Sequence, residues 1–325
     1  MRGFLFGLAA LAALSVAGLA GGWFAVDRAL DADGPTTEPQ IVELAPGSSV
    51  GAIADKLEAD GVVRSALLFK IAVKLQQAEQ SVRAGEYEIP AGASVSDVVD
   101  ILVDGRPVLH TVTIPEGVTT RQALAIIAAD DTLDGEVTLD PGEGRLLPET
   151  YAHARGEKRD DLVRRMMDAQ TEALDAAWDL RADDLPFNTR DEALILASIV
   201  EKETAVPSER RMVAAVFVNR LKKRMRLESD PTIIYGLTGG EPLGRGLRRS
   251  EIDRETPYNT YKIRGLPPTP IANPGLASIE ATLNPADADV LYFVADGSGG
   301  HAFASTYQEH LKNVERWRAI ERSRR

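Results

Sequence analysis

The chain has 325 residues, a formal net charge of -12, 44% hydrophobic and 26% charged residues, and no cysteine. That length supports two ordinary domains with their own cores; the acidic balance argues against a nucleic-acid partner, and the missing cysteines exclude disulfides and thiolate chemistry. The four histidines, His110, His153, His301 and His310, show no metal-ligand spacing, so no metal and no other cofactor is expected.

The first element in chain order is apolar. Phe4 to Val26 carries no charge, and a helix of that length spans roughly 34 Å, enough for a hydrocarbon core of about 30 Å. Arg2 precedes it, so the short tail is expected in the cytoplasm and the remainder outside, with Trp23 and Phe24 near the far interface. A cleaved signal peptide, with Gly18 and Ala20 at the cleavage position, is the rival; the length of the uncharged run favours an uncleaved anchor. The organisation then reads as stub and transmembrane helix over 1–27, a polar, proline-bearing linker over 28–39, a small module over 40–107 and a larger domain over 108–325.

Three stretches share one pattern. "VELAPGSSVGAIADKLEADG", "YEIPAGASVSDVVDILVDG" and "VTIPEGVTTRQALAIIAADD" each run strand, Pro/Gly turn, hydroxyl residue, amphipathic helix. Ser49, Ser94 and Thr119 stand at the same step after Gly47, Gly92 and Gly117, so each is expected to cap the following helix, and Thr119 with Gln122 makes a capping box. The alignment also disposes of "GSSVG", which matches a serine-nucleophile pattern that the equivalents of Ser49 lack. "GSGG", Gly297 to Gly300, is too short for a dinucleotide fingerprint and reads as a hairpin turn after the strand "VLYFVA". Between the first two units, "SALLFKIAVKL" predicts a helix with Leu67, Leu68, Ile71, Ala72 and Leu75 on its apolar face. The expected fold class is α+β. A strand, two helices and a returning strand form the small module. The larger mixed domain is helical to near Asn219 and loop-rich between Asp230 and Pro285, where binding groups usually sit.

One helix carries two acids. In "LASIVEKETAVPSERRMVAAVFVNRL", residues 196–221, the run from Leu194 to Val200 is apolar nearly all round, which marks a buried helix. Leu194, Ala197, Ser198 and Glu201 share one stripe. Two positions apart means about 200° of rotation, so Glu201 and Glu203 cannot face the same cleft. A carboxyl against apolar walls is pushed toward its protonated form and can give up a proton near neutral pH. Taken alone, the segment fits a surface or salt-bridged glutamate better than a catalyst. Glu203 is expected to pair with a base such as Arg210 or to meet solvent.

The wider motif set changes that balance. "LLPETY", "ASIVEKETAVPSERRMVAAVFVNRL", "MRLESDPTIIYGL", "TPYNTYKIRGLPPTPIANPG" and "LNPADADVLYFVADGSGGHAFASTYQEH" occur in that order over roughly Leu146 to His310. Together they resemble the YceG-like endolytic murein transglycosylases. The small module also resembles LysM domains, which bind N-acetylated glycans, though in architecture only. The family resemblance implies a lytic transglycosylase anchored in the inner membrane with its catalytic part in the periplasm. Such enzymes cut the β-1,4 bond between N-acetylmuramic acid and N-acetylglucosamine and leave 1,6-anhydromuramoyl ends, here terminating growing strands. Peptidoglycan glycan strands are the implied partner, with peptidoglycan synthases beside them. Glu201 takes the position of the family's catalytic glutamate. Departures are few: Thr269 replaces a glycine, Glu228 replaces a glutamine, and Leu311 and Lys312 follow "EH" where an asparagine is common.

Other residues have two readings each. Ser198, one turn behind Glu201, orients its carboxyl or simply packs the helix. Glu149 belongs to the cleft or to a surface loop. Tyr258, Asn259 and Tyr261 offer apolar faces and hydrogen-bonding tips to sugar rings, or brace a loop. Asn219 and Asp230 read as loop braces, and His301 and Glu309 are polar candidates without a role. Two rival functions stand beside the enzyme: a non-catalytic glycan-binding envelope scaffold, and a hydrolase of the same bond that needs a second carboxylate, with Glu149 or Glu203 as suspects.

Overall fold

The computed structural model describes residues 21–45 and 47–324. Most of the expected membrane span, residues 4–20, lies outside the described residues. Residues 21–30 are helical, and no helix among the described residues is long and apolar enough to cross a membrane. The fold is mixed α+β and divides into two compact units. One holds the described residues up to His110 with Thr132–Asp134 and Ala152–Glu157; the other holds Thr111–Asp131, Gly135–Tyr151 and the chain from Lys158 onward.

The first unit runs β1 (Gln40–Leu44), α1 (Val50–Ala59), α2 (Ala66–Leu75), β2 (Gly85–Ile89) and α3 (Val95–Asp104). β1 and β2 pair antiparallel, from Gln40 opposite Ile89 to Leu44 opposite Gly85. Leu57, Phe69, Val73, Tyr87, Ile89, Val98 and Leu102 fill the core. The caps explain where helices start. Ser49 accepts the amide of Ala52, and Ser94 accepts that of Asp97 in a capping box. Gly47, Gly92 and Gly117 have φ of 75°, 70° and 75°, the left-handed geometry that glycine adopts without a Cβ penalty.

α2 corrects one expectation. Its buried residues are Ala66, Phe69, Ala72 and Val73, whereas Leu67 and Leu75 are 67% and 44% exposed. Apolar residues occur on both sides of this short helix, and the face carrying the bulky Phe69 ring takes the core.

The second unit is built around a helix. β3 (Leu109–Thr113) pairs with β4 (Thr150–Ala154), and the division between the units falls within both strands. β4 was not expected, since only its partner strand makes that short segment extended. The remaining elements are α4 (Thr120–Ala129), α5 (Arg159–Asp179), α6 (Arg190–Glu203), α7 (Arg210–Lys222), α8 (Asp230–Thr238), α9 (Arg249–Asp253), α10 (Leu276–Leu283), β5 (Tyr292–Ala295), β6 (His301–Ala304) and α11 (Tyr307–Ser323). Thr119 caps α4 in a box with Gln122, as expected. β5 and β6 form the antiparallel hairpin whose turn holds "GSGG". Every residue from Ala193 to Val200 is buried, and α7 and α10 pack on α6 through Val213, Phe217, Ile279 and Leu283. This apolar rod carries both glutamates at its C-terminal end.

Ser49→Ala should cost about 1 kcal/mol in urea unfolding, because an orphan amide of the first helical turn loses its acceptor. Ser65, at the N-cap of α2, makes no such side-chain bond. Ser65→Ala should therefore fall within about 0.5 kcal/mol of wild type.

Candidate active site

Glu201 leaves the core at the end of α6. Its side chain is 7% exposed. One carboxylate oxygen, Oε2, accepts the Gly275 N–H at 3.0 Å, and Gly275 is the N-cap residue of α10. The other, Oε1, lies 4.0 Å from an Arg210 guanidinium nitrogen. That same nitrogen donates to Glu116 Oε2 at 3.1 Å. Glu116 is 43% exposed and Arg210 14%. Burial, then the negative charge of Glu201, raises the Glu116 carboxyl above its usual range, with Glu149 adding to the rise and Arg210 opposing it.

Gly275 leaves room for these groups, whereas Gly117 is required by its left-handed backbone. A Cβ on Gly275 would sit 1.9 Å from Glu116 Oε1, and one on Gly117 would touch Glu201 Cγ at 3.5 Å. Lys202 adds a tie, donating from Nζ to the Gly117 carbonyl at 3.0 Å.

Buried polar side chains fix the loops that carry the site. Asn273 is fully buried. Its Oδ1 accepts the Leu146 amide at 3.0 Å, its Nδ2 donates to the Val118 carbonyl at 3.2 Å, and its backbone exchanges bonds with Gly117 and Val118. Ser198, also fully buried, donates to the Ile195 carbonyl at 2.7 Å and accepts the Ile271 amide at 3.0 Å. Its hydroxyl therefore holds the loop that supplies Gly275, and reaches Glu201 through that loop.

Glu203 belongs to a separate site, as the angular argument requires. It accepts a hydrogen bond from the Ser229 hydroxyl at 2.5 Å, and Arg210 donates to Glu116 instead, so Arg210 is not the base expected for Glu203 as the alternative to solvent. Desolvation pushes the Glu203 carboxyl up to about 7; the Ser229 bond and the electrostatic influence of His301 and Arg220 pull against that, and Asp230 adds to it. A cavity of about 400 Å³ lies beside it, lined by Glu203, Arg220, Asp230, Tyr261, Phe293 and His310. Tyr261 donates to Asp230 at 2.8 Å.

The other expected residues are distributed around these two sites. Glu149 is exposed and close enough to Glu116 to act on it electrostatically. Asn259 is buried and braces its own loop, donating to the carbonyls of Ile252 and Arg254. Tyr258 stacks obliquely on Tyr235, with centroids 5.1 Å apart, and bonds the Thr269 hydroxyl at 2.8 Å. Thr269 thus fits the loop as a partner for Tyr258. Asn219 donates to the carbonyls of Ala288 and Val290, His301 pairs with Glu209 at 2.7 Å, and Glu309 closes the capping box at the start of α11.

Glu116 and Gly275 are the site residues not anticipated from the sequence, which offers Arg210 only as a partner for Glu203. The only local signal for them was a pair of glycine loops, "IPEG" and "NPG", and "IPEG" reads first as a turn before a capped helix. Arg210 also lines an open groove of about 580 Å³ along α10, with Pro207, Ala277 and Glu280. A shielded carboxyl with one oxygen fixed by a backbone amide can give and take a proton.

Residues 42–316 match the model of the YceG-like family. A Bacillus subtilis protein named endolytic murein transglycosylase is 32% identical over 85% of this chain and 84% of its own length. A Streptococcus pneumoniae protein of the same name is 31% identical over 94% of this chain, which spans 63% of that longer relative. A crystal structure of a yceG-like protein from Listeria monocytogenes is 30% identical, with a TM-score of 0.53 over 85% of this chain and 99% of that one.

Because the Glu203 carboxyl is raised from the usual 4.5 to about 7, its contribution to stability is fully present below about pH 4.5 and is lost as pH rises through about 7. Urea unfolding at pH 5 and pH 7.5 should show that decline, at most about 3 kcal/mol, and Glu203→Gln should remove most of it.

Proposed function

The chain belongs to the YceG-like family, and from that premise and the site geometry we propose that it is a membrane-anchored endolytic lytic transglycosylase of peptidoglycan. It cleaves the β-1,4 bond between N-acetylmuramic acid and N-acetylglucosamine within glycan strands. The observation that carries this reading is the Glu201 carboxyl, shielded from water, with Oε2 held by Gly275 and Oε1 free to exchange a proton.

The chemistry needs one such group. Glu201 gives its proton to the glycosidic oxygen as the bond from C1 to that oxygen breaks, and the N-acetylglucosamine end leaves as an alcohol. The Gly275 N–H then supports the carboxylate that remains. The muramoyl 6-hydroxyl attacks its own C1 and returns a proton to Glu201, closing the 1,6-anhydro ring without water. Because nucleophile and electrophile are tethered in one sugar, little orientation is left to arrange. The 2-acetamido group assists between the two steps. The groove beside Arg210, lined also by Pro207, Ala277 and Glu280, takes the strand.

The anchor at residues 4–26 places this chemistry in the periplasm at the inner membrane, where nascent strands emerge from synthases and are terminated by the cut. Exposed Trp23 and Phe24, at 61% and 65%, support an interfacial position for that end of the segment. The module over 40–107 holds N-acetylated glycan in the manner of LysM domains.

One observation favours a second reading. Glu116 Oε2 and Glu201 Oε1 share one Arg210 nitrogen, so at most about 7 Å separates them, and a hydrolase would use such a pair of carboxyls as its acid and its base or nucleophile. A hydrolase would leave reducing ends, and the lytic enzyme leaves anhydromuramoyl ends.

Mass spectrometry of products from purified glycan strands should show anhydromuramoyl ends from the wild type. Glu201→Gln should lower their production by at least about 100-fold, the scale of general acid–base catalysis, with an unchanged circular dichroism spectrum. A folded Glu201→Gln protein with wild-type turnover would reject the assignment.

A further inference from the structure

Arg210 is poised between two carboxylates. Its guanidinium nitrogen is 3.1 Å from Glu116 Oε2 and 4.0 Å from Glu201 Oε1. The first distance is a formed charge-assisted hydrogen bond and the second is not. Its Nε is buried and has no hydrogen-bond partner, so the guanidinium is held chiefly by what its terminal nitrogen grips. Were Glu116 absent, nothing described at that nitrogen would oppose a closing of the remaining gap. Arg210 would then bridge Glu201 Oε1, the oxygen that must carry the proton.

We propose that Glu116 is a positioning residue that holds Arg210 off Glu201, so that the catalytic carboxyl can both release and recover its proton. The proposal rests on the reading of Glu201 as the acid and base of the lytic reaction. Glu116 acts twice in the same direction. It occupies the arginine, and its own negative charge disfavours a second anion nearby. Contraction of an Arg–carboxylate gap from about 4 to about 3 Å at a partly buried site is worth roughly tenfold in proton affinity. The charged groups facing the pair are Arg210 from α7, Lys202 from α6, which is tied to the Gly117 carbonyl, and Glu149 from the segment before β4. Gly275 completes the device, since only a residue without a side chain leaves room for the Glu116 carboxylate where it lies.

The test is the pH profile of kcat/KM on purified glycan strands with the full-length protein. Glu116→Gln should move the alkaline limb down by about one pH unit and lower kcat at neutral pH about tenfold or more, with KM within about twofold. Adding Arg210→Gln to Glu116→Gln should return the alkaline limb to the wild-type position or above, because no cation is left to trap Glu201. Glu116→Asp, which keeps the charge on a shorter stem, should give an intermediate profile and carries the test if the glutamine variant unfolds. A wild-type profile in Glu116→Gln, or a double variant no better than the single one, would overturn the proposal. If Glu201→Gln is inactive in the same assay while Glu116→Gln matches wild type, only the role of Glu116 falls. Turnover in Glu201→Gln would instead remove the reading beneath it.

Discussion

The buried amide of Asn273 is the constraint on which the site depends. Loops inside a protein must pair their backbone polar groups, and here one side chain pairs groups from two other segments at once. It ties the loop that ends at Gly275 to the "IPEG" turn and to Leu146. Ser198 then fastens the same loop to α6 through Ile271. The position of the Gly275 N–H relative to Glu201 follows from these bonds. A carboxyl whose partner is a backbone amide gets its geometry from the fold around it, and that fold is fixed before any substrate arrives.

Three consecutive residues at the end of α6 meet three different environments. Glu201 faces a backbone amide and a shared arginine, Lys202 reaches a loop carbonyl, and Glu203 accepts from Ser229 beside a polar cavity. The helical turn of about 100° per residue separates them. Identical side chains thereby acquire different chemistry. Glu201 has an open groove near its arginine, and Glu203 is shifted mainly by burial with Tyr261 and Asp230 as neighbours.

What was legible in the sequence was local. Ser49, Ser94 and Thr119 could be read as caps because a cap and its amide lie within three residues of each other. The buried run of α6 and the β5–β6 hairpin were legible for the same reason, as periodicity and turn chemistry act at short range. The wheel alone separated Glu201 from Glu203. By contrast, Glu116 and Arg210 are 94 positions apart, and Asn273 and Leu146 are 127 apart. No short-range pattern marks such pairs, so sequence reading offers the arginine to the nearer glutamate, with solvent as the alternative. The face of α2 was misread for another reason: its apolar residues surround the helix, and only the packing partner chooses among them. Motif resemblance pointed to Glu201, but it did not reveal which loops hold it.

The uninterrupted burial from Ala193 to Val200 has a further bearing on how such chains diverge. Inserting or deleting one residue between Thr189 and Glu201 would turn the helix end by about 100° and carry each acid toward its neighbour's surroundings. Evolution can therefore exchange one aliphatic side chain for another along this rod, but it cannot change the number of residues in it. Gains and losses of length should instead collect in the glycine-rich segment between α8 and α9.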